Sequence, residues 1–100
     1  MLPFERLKKS NTIENLWLYI LALAKKGEIY GYNFQEKIKE RFGFKPGKIT
    51  AYRVLYRLES QGFVKSKVEQ RRRVYKITKK GIEELEKAKN FFLELAKKID

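Results

Sequence analysis

The chain contains neither cysteine nor histidine. Without cysteine there is no disulfide framework, no thiolate metal site and no thiol redox chemistry. Without histidine the commonest general base and metal ligand is missing. Carboxylates remain, but most of the twelve acids stand beside lysines at helical spacing, the setting of solvated surface pairs. No catalytic residue, metal ligand or cofactor is therefore assigned, and the reading is of a protein that is not an enzyme. Long apolar runs are also missing. The longest, Leu16 to Ala24, has nine residues, whereas crossing a bilayer takes about twenty. Met1 to Glu5 lacks the charged-then-apolar pattern of a secretory signal. A cytoplasmic location with no membrane partner is expected.

What the chain has in excess is positive charge, and it is unevenly placed. Of 24 Lys and Arg, twelve fall between Lys45 and Lys80, where only Glu59 and Glu69 oppose them. The remainder carries twelve basic and ten acidic residues and nearly balances. A near-neutral scaffold with one concentrated basic segment is the footprint of a protein that grips a polyanion.

Periodicity divides the hundred residues into a short series of elements. Pro3 suits the first turn of a helix running to about Lys9. Asn11 with Glu14 has capping-box spacing and predicts a helix over residues 12–26. That helix is apolar nearly all round, which calls for cover on two sides. Gly31 is expected to open a further helix with Phe34, Ile38 and Phe42 on one face, stopped by Gly43. After a turn around Pro46, a helix over residues 48–61 turns Ala51, Val54, Leu55 and Leu58 inward. Its opposite arc holds Ile49, Arg53, Tyr56, Arg57 and Ser60. Residues 63–68 and 72–78 read as two strands with Glu69-Gln70-Arg71 at the tip. Gly81 precedes a last helix over residues 82–99. There Leu85, Ala88, Phe92, Leu95 and Ile99 follow a three-four spacing, a seam for a partner helix.

Helix, helix, helix, hairpin is the winged helix-turn-helix order: mostly α with a two-stranded wing, the second motif helix in the major groove and the hairpin on the flanking backbone. The residues go further than the order. Ile20-Leu21-Ala22-Leu23, Ile29-Tyr30-Gly31-Tyr32 and Thr50-Ala51-Tyr52 come first. The run from Leu55 to Val64 and then Val74-Tyr75-Lys76-Ile77-Thr78-Lys79-Lys80-Gly81 follow. Together they resemble the PadR family of transcriptional regulators over residues 16–85. The resemblance implies a homodimeric repressor whose last helix and first long helix build the dimer interface. It also implies that Thr50, Tyr52 and Arg53 occupy the DNA-facing start of the recognition helix. The chain departs from the family pattern with Ile49 before the Thr, Arg53 after the Tyr, and a wing tip without glycine.

These readings place residues 1–81 in a DNA-binding winged helix with an N-terminal helical extension, and residues 82–100 in a dimerisation helix. Lys48, Thr50, Tyr52, Arg53, Tyr56 and Arg57 are the expected DNA contacts on the recognition helix. Arg53 is the expected base reader, since arginine can contact guanine with both arms. Tyr52 lies nearer the core side, with its hydroxyl in reach of a phosphate. Ile49 could meet a thymine methyl or simply a turn. Lys67, Arg71, Arg72, Arg73 and Lys76 are the expected wing contacts to phosphates or the minor groove. Edge protection against aggregation needs fewer charges than these. Leu16, Trp17, Leu85, Ala88, Phe92, Leu95 and Ile99 are the expected dimer contacts. Trp17 on an apolar stripe reads as core or interface before it reads as a ligand stacker. Double-stranded DNA and a second copy of the chain are the expected partners. A small-molecule effector has no matching motif. Two functions fit the scaffold: a sequence-specific regulator and an architectural DNA-coating protein.

Overall fold

The structure, a computed structural model, describes Met1–Asp100 as eight α-helices and β-strands with one short 3-10 turn. They are α1 (Pro3–Ser10), α2 (Leu16–Lys26), β1 (Ile29–Tyr30), α3 (Phe34–Phe42), α4 (Lys48–Ser60), β2 (Val64–Glu69), β3 (Arg72–Ile77) and α5 (Lys79–Ile99). The helices α2, α3 and α4 surround one core formed by Leu16, Ile20, Leu21, Phe34, Ile38, Ala51, Leu55 and Leu58, closed by Ile29, Val64 and Tyr75 from the sheet. Each Leu, Ile or Phe buried there contributes about 1.5–3 kcal/mol. No helix is long and apolar enough to cross a membrane.

Two expected helix starts differ from the structure. The capping box at Asn11 does not form: its side-chain amide donates back to the Leu7 carbonyl, 2.9 Å away, and so closes the end of α1. A single tight turn, Ile13–Asn15, then intervenes before α2 begins at Leu16. A donor four residues after a free helix carbonyl reaches it without distorting the chain, and here that local bond wins over the forward cap. Gly31 likewise opens no helix. Residues 29–30 form a two-residue strand, and α3 starts only at Phe34. A strand of two residues is too short for any periodicity to reveal it.

The sheet is three-stranded and antiparallel, in the order β1-β3-β2. Ile29 stands opposite Tyr75 and Tyr30 opposite Val74, while β2 and β3 pair from Val64–Ile77 out to Glu69–Arg72. The hairpin tip is therefore only Gln70-Arg71, one residue shorter than expected. Both residues are left-handed, with φ of 49° and 67°. Two positive φ values in a two-residue loop match the right-handed twist of the flanking strands, a geometry glycine usually supplies.

Gly81 is the third revision. It does not precede the last helix but lies in its first turn, since α5 begins at Lys79 under a cap from Thr78. The Thr78 hydroxyl oxygen accepts the Gly81 N–H at 3.1 Å. Gly81 is buried, and a Cβ placed on it would stand 2.2 Å from the Phe63 carbonyl oxygen. Glycine is needed here for close approach, not for flexibility. The first half of α5 packs on the domain and is tied to α2 by the Lys25–Glu86 ion pair at 3.2 Å, while each of residues 91–99 is exposed.

Candidate nucleic-acid interface

α4 owes its position to one buried stripe. Ala51, Leu55 and Leu58 are buried, so Lys48, Ile49, Thr50, Arg53, Tyr56 and Arg57 all face out. Ile49 is 76% exposed, an unusual setting for a β-branched apolar side chain. No hydrogen bond or ion pair within the protein engages the side chains of Lys48, Arg53 or Arg57. Their charges are thus unpaired and presented to solvent, although Glu14 and Glu84 line the same cleft as Arg57. Arg53 and Arg57 diverge in surroundings, however. Arg57 borders a cleft of about 330 Å³ with Trp17, Val54 and Glu84, between α2, α4 and α5.

Tyr52 and Tyr56 stack on each other with ring centroids 5.9 Å apart. Their hydroxyls serve different ends. Tyr52 is half-buried, its ring edge-on to Phe34 at 5.4 Å. Its hydroxyl donates to the Gly31 carbonyl, so it braces the turn between β1 and α3 and its proton is not free for a phosphate. Tyr56 is exposed.

The wing brings its basic side chains to the same side. Arg71, Arg72 and Arg73 are exposed and, with Tyr32, Tyr52 and Tyr56, surround one shallow concavity between the wing and α4. Arg73 is held in a chain: its Nη1 donates to the Ser66 hydroxyl at 2.9 Å, and that hydroxyl donates to the Glu59 carboxylate on α4. Wing and recognition helix are thereby joined by side chains as well as by the chain itself. Lys67 pairs with Glu69 across 2.8 Å, and this hydrogen-bonded carboxylate raises the lysine pKa, keeping it protonated. Lys76 is exposed at the wing base.

An exposed helix face beside a basic antiparallel hairpin is the geometry of a winged-helix DNA reader. The sequence model of the transcriptional regulator PadR-like family matches residues 20–87. The chain belongs to the PadR-like family. It is a DNA-binding transcriptional regulator of that family, mostly helical with a small sheet. A transcriptional regulator from Clostridium thermocellum is 34% identical, with a TM-score of 0.70 over 83% of this chain and 86% of that one. A PadR family transcription regulator from Clostridium difficile is 28% identical, with a TM-score of 0.74 over 81% and 90%. Bacillus subtilis PadR in complex with operator DNA is 28% identical, with a TM-score of 0.61 over 72% of this chain and 45% of that one. No curated protein sequence matches the chain. Both Clostridium neighbours are transcription regulators.

Among the residues expected at a dimer interface of this PadR-like chain, Leu16 is misplaced. It is 1% exposed and belongs to the protomer core, on the same face of α2 as Ile20, Leu23 and Ala24. Trp17 is half-buried against that core, its indole N–H directed at Asn15 Oδ1 at 3.4 Å. Leu85 and Ala88 are half-buried, whereas Phe92, Leu95 and Ile99 are exposed, as are Phe91 and Leu93. Phe91 and Leu93 fall off the three-four spacing, which is why periodicity passed over them. Tyr32 was also passed over: it is one aromatic in a turn, and only the fold brings it beside the wing arginines.

Proposed function

We infer that the protein is a sequence-specific transcriptional repressor that acts as a two-fold homodimer. The recognition helix α4 enters the major groove with Thr50 and Arg53 toward the bases and Lys48, Tyr56 and Arg57 toward the groove walls. The wing lies on the flanking backbone or minor groove through Arg71, Arg72, Arg73, Lys67 and Lys76. The observation that carries this reading is the continuous exposed surface formed by the outer face of α4 and the wing, with Arg53 and three adjacent wing arginines facing solvent. Bacillus subtilis PadR, 28% identical and solved in complex with operator DNA, supports DNA as the partner. Tyr52 is excepted from the phosphate contacts, because its hydroxyl is spent on Gly31.

The dimer is supported by the apolar far half of α5. Phe91, Phe92, Leu93, Leu95 and Ile99 are exposed together with Phe4 and Leu7 of α1. Phe4, Leu7, Phe91, Phe92 and Leu95 share one open apolar cleft with Leu18 and Tyr19 of α2. A contiguous apolar surface of this kind marks a protein contact site, and a second copy covers it by a self-complementary two-fold contact. Trp17, Leu85 and Ala88 border this region, while Leu16 plays no part.

Selection of bound fragments from genomic DNA tests the specificity. A regulator enriches a two-fold symmetric site and binds it about 10³-fold or more tighter than random DNA. Equal affinity for all fragments would instead make the protein an architectural DNA coat.

A further inference from the structure

Tyr32 lies in the turn between β1 and α3 and is 60% exposed, although it is large and aromatic. It is not left unpartnered. The Arg72 guanidinium sits over its ring, 5.2 Å from Cζ to the centroid. Arg72 Nη1 also points its N–H at the Tyr32 hydroxyl, 3.4 Å away. The Tyr30 ring lies tilted beside that of Tyr32, with ring centroids 5.7 Å apart. Arg72 is therefore held at one place on the wing by a residue that precedes the recognition helix by some sixteen positions in sequence.

The hydroxyl accepts from arginine and makes no donated bond within the protein, so its own proton is free. That proton and the remaining guanidinium N–H groups border a concavity of about 310 Å³. Tyr56 closes it on the recognition-helix side, and Arg71 and Arg73 close it on the wing side; no carboxylate lines it. An open hollow rimmed by three guanidinium groups and phenol donors suits a single oxyanion. Being open, it gives a small free anion little shelter from water. A phosphodiester delivered by a polymer already held on α4 and the wing does not need that shelter.

We propose that Tyr32 and Arg72 together clasp one phosphate of the DNA backbone, Arg72 by charge and Tyr32 by its hydroxyl proton and by fixing the guanidinium plane. This rests on the inferred placement of α4 in the groove and the wing on the backbone. It adds a contact from the turn before α3, so that the phosphate is gripped at the junction of turn, helix and wing.

The test uses the intact protein and a duplex obtained by selection. Affinity is measured against salt for the unmodified chain, Tyr32→Phe, Arg72→Ala and the double variant, with circular dichroism as the check on folding. Arg72→Ala should make the slope of log affinity against log salt shallower by about 0.9, the value for one phosphate contact. Tyr32→Phe should leave the slope unchanged and weaken binding to every sequence about tenfold, the scale of one hydrogen bond to a charged group. In the double variant the Tyr32 change should cost less than it does alone, because the two groups act as one. Tyr32→Phe binding as tightly as the unmodified chain, or simple additivity, would overturn the clasp while leaving the wing reading intact. An Arg72→Ala slope equal to the parent's would show that Arg72 meets no phosphate and would overturn the clasp as well. Inorganic phosphate at constant ionic strength is the last arm. Competition with DNA by the parent but not by Tyr32→Phe would mean a site for the free ion, and would also overturn the proposal.

Discussion

Gly81 rests so closely on the carbonyl of Phe63 that a methyl group has no room between them. The contact joins the start of α5 to the start of β2, and the Gly81 N–H is at the same time taken by the Thr78 cap. A methyl here meets the Phe63 backbone as well as the Ile77 side chain, and the backbone cannot swing aside. Gly81→Ala should therefore destabilise the fold by about 1–3 kcal/mol through overpacking, after a gain of up to about 1 kcal/mol in helix propensity. Thermal or urea unfolding of the two proteins measures the difference, and a more stable Ala variant would contradict the contact.

The wing tip makes the opposite prediction. Arg71 holds a left-handed backbone, φ 67°, that costs a non-glycine residue about 1–2 kcal/mol. Arg71→Gly should stabilise the hairpin by about 1 kcal/mol. If the side chain meets a phosphate, the same change should weaken DNA binding and reduce the salt slope by about 0.9. Unfolding and binding measured on one preparation would show the two effects running in opposite directions.

Arg53 and Arg57 should separate in a panel of single-base operator variants. Arg53→Ala is expected to cost about 1–3 kcal/mol at one base pair of each half-site and to relax preference there. Arg57→Ala is expected to weaken all sequences alike. A uniform loss with Arg53→Ala, the ranking of variants untouched, would make Arg53 a backbone contact.

The far half of α5 provides the test of assembly. Phe92 and Leu95 are exposed in the protomer, so charges there can be introduced without entering its core. Phe92→Glu with Leu95→Glu should yield a folded monomer by sedimentation and lose the tight binding that two joined half-sites provide. A parent protein that sediments as a monomer would remove the dimer from the reading.

Much of this molecule was legible in the amino-acid order. The stripe Ala51, Leu55, Leu58 and the stop at Gly62 place α4 within a residue of where it lies. The hairpin strands are likewise off by a residue at most ends. What stayed hidden depends on geometry that no local pattern encodes. Asn11 could bond forward over three residues or backward over four, and only the path of the chain decides. Gly81 reads as a helix breaker until the Phe63 carbonyl is seen against it. Leu16 shares a helical stripe with Ile20 and Leu23, and only the fold shows that this stripe is spent on the protomer's own core. In the candidate interface, the outward arginines follow from charge and spacing. The Tyr32–Arg72 pair and the Glu59–Ser66–Arg73 chain join residues far apart in sequence, so they needed the fold.

The wing passes into α5 without a linker: β3 ends at Ile77, Thr78 caps, and Lys79 already begins the helix. In a two-fold assembly joined through α5, each reading head would then be fixed to the shared seam by a stiff strut about 30 Å long. Such a protein behaves as a gauge with set jaws. Two half-sites one helical turn, about 34–36 Å, apart would be measured against it. An operator with an added or missing central base pair would have to twist to fit, at an elastic cost borne by the DNA and set by its sequence.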